Sequence, residues 1–287
     1  MWAAERPSAS VTDAARACAR GTRDKEVAGR LLAAQKELEI NSRALQRAAR
    51  GHKLRTVTPQ AFVVSGLSDK QMKWMYTAQL GRSGRPASVI RDQLVGSAPH
   101  GLCCYCQYGQ ATTLDHFVPK ELVPALSIDP WNLVPACQQC NHKLQSLYGA
   151  SAEEQMLHPY AMPELGRWLY AEIGPGIPTN VTFRAKPDHA MGSVLQERIL
   201  YEFESLGLGF LFSVVSGPDL SEMDATLTGL FDAGRSDLVR AHLLDTAATA
   251  MSVAPNSRRG ALFEALADDD AYCAGGYGAN KPVRFDV

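Results

Sequence analysis

The sequence has no apolar run near the ~18 residues that a membrane-spanning helix needs. The longest, Leu206 to Val215, has ten residues and contains Gly207 and Gly209. The first residues also lack the cationic start and apolar stretch of a secretory signal, so we expect a reducing, cytoplasmic location and no membrane partner. Internal repeats and low-complexity segments are missing too. With 46% hydrophobic and 21% charged residues, the composition predicts a folded globular chain.

Neither charge dominates the whole chain, since 29 Lys and Arg oppose 30 Asp and Glu. The two signs are nevertheless segregated: residues 1–149 carry 19 basic and 11 acidic residues, and residues 150–287 carry 10 and 19. A basic half attracts a polyanion, and an acidic half repels it or meets a protein partner. Solvated helix faces without such partners are the alternative.

The chain is patterned mainly as helices. Apolar residues recur at helical spacing at Val27, Leu31, Ala34 and Leu38. We therefore predict a basic amphipathic helix over 12–50 that ends at Gly51. Its apolar face packs either on the body of the chain or on a second copy, as in a homodimer. Further helices are predicted over 69–80, 87–98, 193–205, 219–232, 235–252 and 257–267, with a strand over 180–185.

Five of the seven cysteines fall within 38 residues. Clustered cysteines in a cytoplasmic chain indicate metal binding rather than disulfides. Two C-x2-C pairs, Cys103 with Cys106 and Cys137 with Cys140, make the four-thiolate set that Zn²⁺ prefers in structural sites. The 30 residues between the pairs exceed the ~15–20 of an ordinary zinc ribbon.

The insert contains Thr113-Leu114-Asp115-His116 and Trp131-Asn132-Leu133, and Asn141-His142-Lys143 follows the last cysteine. In order, spacing and residue type, this segment resembles the HNH endonuclease family, in its variant with Asn at the closing position. The resemblance implies a ββα-metal module with the four cysteines as structural zinc ligands. It also implies a phosphodiesterase reaction.

The chemistry that the resemblance implies uses four residues. His116 would activate water as a general base. Asp115 and Asn141 offer oxygen ligands that suit a catalytic Mg²⁺ or Mn²⁺. Asn132 would orient the base and tie the loop between the strands. Lys120 and Lys143 flank the site as candidate phosphate contacts, and Arg82 and Arg85 stand in a Gly- and Pro-containing loop that suits the same role.

Two other functions are alternative hypotheses for this segment. A zinc-stabilised module that binds nucleic acid without cutting it would keep the same cysteines. A zinc nucleobase deaminase would share the Pro135 to Cys140 segment, but its signature needs H-x-E. Val118 stands two residues after His116, so the deaminase signature fails.

The sequence as a whole predicts an α+β nuclease acting on DNA. Its HNH module, residues 99–150, lies between a basic helical region, residues 1–98, and an acidic, mainly helical region, residues 151–287. The flanking segments Gly84-Arg85-Pro86, His158-Pro159-Tyr160 and Asn256-Ser257 resemble stand-alone bacterial HNH proteins. That resemblance implies a part in anti-phage defence or a mobile element, with an ATPase as a partner.

Overall fold

The computed structural model describes residues 3–145, 147–149, 151–176, 179–231 and 235–279. The chain forms two compact units, Met1–Pro163 and Glu164–Val287. Within the described residues, each unit combines helices with a two-stranded antiparallel sheet, which confirms the α+β class. The motif-based division at 98/99 and 150/151 remains a prediction, and neither boundary coincides with the division between the units.

In the described part of the chain, no single helix has both the length and the hydropathy to cross a membrane, although the bent pair Ser193–Leu206 and Leu208–Leu230 meets those criteria together.

The first unit opens with helices rather than with one long arm. It contains α1 (Val11–Gly21), α2 (Lys25–Ala33), α3 (Gln35–Arg50), α4 (Asp69–Met75), α5 (Ser88–Gly96) and α6 (Gln138–Leu144). Ser10 and Asp13 form a capping box at the start of α1, a typical helix-initiating arrangement. The segment predicted as helical over 12–50 is helical over most of its length but is divided into three helices; Asp24, for example, accepts hydrogen bonds from two following amides and begins α2. The predicted end of the segment at Gly51 is confirmed.

The apolar face of these N-terminal helices packs on the body of the chain. Val27, Leu31, Ala34 and Leu38 are all buried. Burying a Val or Leu side chain stabilises a protein by about 1.5–3 kcal/mol. This face is therefore part of the core and is not left open for a second copy.

A hairpin and a helix follow in the first unit. Strand β1 (Thr113–His116) pairs antiparallel with β2 (Leu133–Ala136), and His116 lies opposite Leu133. Helix α6 begins directly after Cys137, whose sulfur accepts a hydrogen bond from the amide of Cys140. The order of strand, loop, strand and helix frames the segment that carries the candidate residues.

The second unit has its own hairpin, β3 (Leu169–Gly174) with β4 (Asn180–Ala185). Its helices are α7 (Ser193–Leu206), α8 (Leu208–Val215), α9 (Gly217–Leu230), α10 (Ser236–Val253), α11 (Arg258–Asp268) and α12 (Asp270–Cys273). The predicted strand over 180–185 and the four predicted helices are confirmed to within two residues at each described end. The sequence did not predict β3, α8 or α12. Gly207, at φ +62°, adopts a left-handed conformation that glycine tolerates, and it separates α7 from α8.

Asn256 fixes the start of β3 in the second unit. Its Oδ1 accepts hydrogen bonds from the amides of Trp168, at 2.7 Å, and Leu169, at 3.0 Å. Its Nδ2 donates to the carbonyl of Gly166 at 3.0 Å. One side chain thus satisfies three main-chain groups beside Trp168, which is 1% exposed.

We expect Asn256→Ala to lower the free energy of unfolding of the second unit by about 1–3 kcal/mol, because main-chain groups lose their partners. Asn256→Asp keeps an acceptor oxygen for the amides of Trp168 and Leu169 and loses only the donor to Gly166, so the decrease in its unfolding free energy should be smaller. Calorimetric melting of both variants checks this. Equal melting profiles for Asn256→Ala and the wild type would contradict the role assigned to this side chain.

Candidate metal centre and active site

The four predicted zinc ligands lie together. The sulfurs of Cys103, Cys106, Cys137 and Cys140 are all within 4.8 Å of one another, and all four residues are buried. The Sγ atoms of Cys106 and Cys137 are 3.9 Å apart. Tetrahedral Zn²⁺ with Zn–S bonds of about 2.3 Å separates its sulfurs by about 3.8 Å. The cluster therefore fits a structural metal site such as zinc.

Main-chain groups shape the first cysteine turn. The amide of Cys103 donates to the carbonyl of Gly109 at 2.8 Å, and that of Gln107 donates to Cys103 at 2.9 Å. Gln107 has a φ of +60°, a conformation that costs energy for most residues. The amide of Gly109 donates to the sulfur of Cys106 at 3.3 Å. The main-chain bonds fix the shape of the turn, and the Gly109 amide places a hydrogen-bond donor at the sulfur of Cys106.

Hydrogen bonds within the cluster shift the pKa values of the four cysteines in opposite directions. Hydrogen bonding with Cys103 holds the pKa of Cys106 well below its ordinary value and lowers the pKa of Cys137 to about 7. Hydrogen bonding with Cys106 raises the pKa of Cys103, and hydrogen bonding with Cys103 raises the pKa of Cys140. Four thiolates this close would repel one another. A divalent cation removes that conflict, because thiolate is the form that binds metal.

The three remaining cysteines lie outside the cluster in the part of the chain described here. Cys104 is fully buried, and its amide donates to the carbonyl of Pro135 at 3.3 Å. Its side chain fills space beside the ligands. Cys18 and Cys273 are buried free thiols.

His116 ends β1 with a defined protonation state. Its Nε2 lies 3.0 Å from the carbonyl oxygen of Ser127. Because a carbonyl only accepts, Nε2 carries the proton and Nδ1 keeps its lone pair. Burial lowers the pKa of His116 to about 3, against the opposing effect of the Ser127 carbonyl. The imidazole is therefore neutral at physiological pH and able to accept a proton.

Asp115 is held by a residue of the first cysteine turn. The hydroxyl of Tyr105 donates to Oδ2 of Asp115 at 2.7 Å, and Asp115 is 3% exposed. Burial raises the pKa of Asp115 to about 7, partly offset by the Tyr105 hydroxyl and by Lys120. A nearby cation would favour the carboxylate. Tyr105 also links the cysteine cluster directly to this carboxyl group.

Asn132 is buried and bonds main-chain groups of the loop between β1 and β2. Its side chain accepts from the amide of Val118 at 2.7 Å and donates to the carbonyl of the same residue at 2.9 Å. Its Nδ2 also lies 3.3 Å from the carbonyl of Leu126. The residue is fully buried, so Asn132 ties the loop between the strands and does not face solvent.

Several of the candidate residues line one cavity of about 310 Å³. It is lined by Tyr76, Leu114, Asp115, His116, Pro119, Lys120, Glu121, Asn141 and Gln145. The amide Nδ2 of Asn141 donates to Thr113 Oγ1 at 3.2 Å, which leaves its oxygen for another partner. Arg82, Arg85 and Lys143 lie outside this lining; Arg82 and Lys143 are exposed, and Arg85 is half-buried.

Sequence reasoning missed Tyr76. Its ring meets the His116 ring edge-on at 4.2 Å between centroids, and Lys120 Nζ lies 5.9 Å from its centroid. Tyr76 comes from a π-helical turn, Tyr76–Leu80, directly after α4. No motif in the sequence pointed to it, because the contact joins segments 40 residues apart.

Comparison with known proteins adds one distant relative. No family model matches the chain, and no solved structure matches it. The chain is 27% identical over 170 residues to protein ea31 of Escherichia phage lambda. The alignment covers 58% of this chain, and the chain spans 57% of the length of that relative. None of this names an HNH family, so the resemblance remains a prediction.

We expect about one Zn²⁺ per folded chain, and Gly109→Ala to lower both zinc content and melting temperature. A Cβ at position 109 would lie 2.7 Å from Cys137 Cβ and 2.9 Å from its sulfur, and crowding of this kind costs about 1–3 kcal/mol. Elemental analysis and thermal melting measure the two effects.

Gly96→Ala is the matched control, because a Cβ there meets nothing within 4 Å. It should keep full zinc content. Zinc-free wild-type protein that is fully folded would contradict the structural metal site.

Proposed function

We propose that this protein is a metal-dependent endonuclease that hydrolyses phosphodiester bonds in DNA. One observation carries the proposal: His116, with its Nδ1 lone pair available, lines the same cavity as Asp115 and Asn141. A general base and two hard oxygen ligands in one cavity are the requirements of metal-assisted phosphodiester hydrolysis. The likeness to ea31 adds nothing about the reaction, since that name states no activity.

His116 would act on water. Nδ1 accepts a proton as the water oxygen forms a bond to phosphorus, and the bond from phosphorus to the 3′ oxygen breaks. The Ser127 carbonyl, bonded to Nε2, stabilises the imidazolium that results. The departing 3′ oxygen takes a proton from solvent.

Asp115 and Asn141 would hold the cation. Tyr105 occupies Oδ2 of Asp115, which leaves Oδ1 for a ligand bond, and Asn141 contributes its side-chain oxygen. Bound Mg²⁺ or Mn²⁺ would supply positive charge to the phosphate and the departing oxygen. The carboxylate and amide donors suit these cations rather than a second Zn²⁺.

DNA binding rests on the basic first half of the chain. Lys120 lines the cavity and offers the scissile phosphate a cation. Arg16 and Arg20 line a separate open groove of about 410 Å³ between α1 and α5, which also includes Pro86, the residue after Arg85. Phosphate contacts of this kind fix position without reading sequence. A role as an effector nuclease in anti-phage defence, with an ATPase partner, rests on the flanking motifs alone.

Two substitutions should separate catalysis from folding. We expect His116→Ala to lower the cleavage rate about 10²–10⁴-fold, with zinc content and melting temperature nearly unchanged. Asp115→Asn and Asn141→Ala should behave alike, with partial rescue by Mn²⁺. Cys137→Ser should instead lose zinc, stability and activity together, because metal binding and folding are coupled. Plasmid cleavage with Mg²⁺ or Mn²⁺, with an EDTA control, measures the rates.

His142→Ala is the matched control, since His142 is exposed on α6 beside Asn141 and does not line the cavity. It should cut at the wild-type rate. A His116→Ala protein that cuts as fast as the wild type, purified from a nuclease-deficient host, would overturn the mechanism. The alternative hypothesis, a zinc-stabilised module that binds nucleic acid without cutting it, would then be favoured.

We expect Arg82→Gln with Arg85→Gln, and separately Arg16→Gln with Arg20→Gln, to weaken binding to unrelated DNA sequences. Each lost phosphate contact should reduce the slope of log K against log salt by about 0.9. Removing residues 1–50 would not be a clean test, because α1 to α3 form part of the core. Fluorescence titrations at several salt concentrations measure both quantities.

Arg184→Gln with Lys186→Gln controls for the loss of two positive charges, because these exposed residues lie in the second unit, where both pair with Glu172. Affinity and salt slope that stay unchanged in both arginine pairs would show that the basic segments serve another purpose.

A further inference from the structure

The turn His158-Pro159-Tyr160 lies in the first unit, beyond the second cysteine pair, and takes no part in the chemistry above. His158 Nε2 lies 3.1 Å from the carbonyl of Trp131. The Tyr160 hydroxyl donates to the carbonyl of Leu133 at 2.7 Å. These two carbonyls belong to the residues on either side of Asn132. The turn is therefore hydrogen-bonded to the main chain immediately before and after Asn132.

Asn132, which lies between these two carbonyl groups, is bonded to the residues that follow His116. The amide of Phe117 donates to the carbonyl of Asn132 at 2.9 Å, and the Asn132 side chain bonds both main-chain groups of Val118. His116 therefore sits directly before two residues that Asn132 holds. A shift of Asn132 would move the end of β1 and the imidazole with it.

His158 makes a second contact with the same strand end. Its ring stacks on Phe117 with centroids 4.2 Å apart and an interplanar angle of 27°. Its Nδ1 accepts from the amide of Tyr160 at 3.2 Å, so Nε2 must donate to Trp131. His158 and Tyr160 are 3% and 2% exposed. The side chain has one orientation in which both ring nitrogens are satisfied.

We propose that His158 and Tyr160 are positioning residues that clamp Asn132 and thereby hold His116 at the angle from which it acts as a base. The catalytic part of this inference rests on the proposed nuclease function. The structural part does not, since it concerns the order of Asn132 and Val118. A merely structural role would change stability and leave the cleavage rate of the folded protein unaltered.

The test compares Tyr160→Phe, which removes one hydroxyl, with His158→Ala and His158→Gln. We expect Tyr160→Phe and His158→Ala to lower kcat by roughly ten- to a hundredfold, the scale of a small misplacement of a reacting group, with KM and zinc content unchanged. His158→Gln should recover part of the loss, because its amide nitrogen reaches where Nε2 donates. Hydrogen exchange at the Val118 amide should accelerate in the same order.

Tyr148→Phe is the matched control. Its hydroxyl also bonds main-chain carbonyls in the first unit, those of Leu54 and Val57, but it does not border the cavity. It should lower melting temperature without changing kcat. If His158→Ala fails to fold, Tyr160→Phe decides the proposal.

The outcomes distinguish the two hypotheses. Wild-type kcat and wild-type exchange at Val118 in folded Tyr160→Phe would overturn the clamp. Faster exchange at Val118 with kcat unchanged would also overturn it as a positioning device. If wild-type protein cuts no DNA, the nuclease proposal fails, and the clamp fails with it as a catalytic device, while Val118 exchange still decides whether the turn orders Asn132.

Discussion

The convergence of four cysteine sulfurs is the constraint on which the rest of the first unit's site depends. The two pairs are separated by 30 residues, and their sulfurs come within 4.8 Å. Closing a loop of this length costs only a few kcal/mol, roughly, in chain entropy. Structural Zn²⁺ contributes about 10–16 kcal/mol to the folding of zinc-finger peptides, so a zinc ion bound at this cluster would outweigh the closure cost. The closed loop brings the ends of β1 and β2 together, and Asp115, His116 and Asn132 all lie on or beside those strands.

The same burial has opposite effects on the pKa values of Asp115 and His116, two of the titratable groups that line the cavity. It raises the pKa of Asp115 to about 7 and lowers the pKa of His116 to about 3, because a low dielectric disfavours each charged form. A neutral imidazole is what a general base requires. A cation bound beside Asp115 would lower the pKa of this carboxyl group again and favour the carboxylate. The hydrogen bonds from Tyr105 and to Ser127 fix which oxygen and which nitrogen stay available.

Local pattern and spacing predicted much of this molecule. The cysteine spacing predicted the cluster, and alternation predicted β4 to the residue. Four of the six helices described in the second unit were predicted to within two residues at their described ends. The break at Asp24 was missed because the apolar spacing used to predict the helical segment begins at Val27, after the break. Contacts that join distant segments were not readable: Tyr76 against His116, Tyr105 on Asp115, and His158 on Trp131. Each of these contacts depends on how the helices and strands pack together, and the local patterns of a single sequence do not show that packing.

The candidate site is built from more than the cysteine-rich segment. Helix α3 contributes Ser42, whose hydroxyl donates to Asp129 at 3.1 Å in the loop between the strands. The turn after α4 contributes Tyr76, and Lys73 of α4 pairs with Glu121 at the cavity wall. Beyond α6, His158 and Tyr160 bond the main chain beside Asn132. A module of this size buries too little surface to hold several polar groups in one geometry unaided. The helices before it and the turn after it supply those contacts, so the order of His116 depends on residues that carry none of the motif.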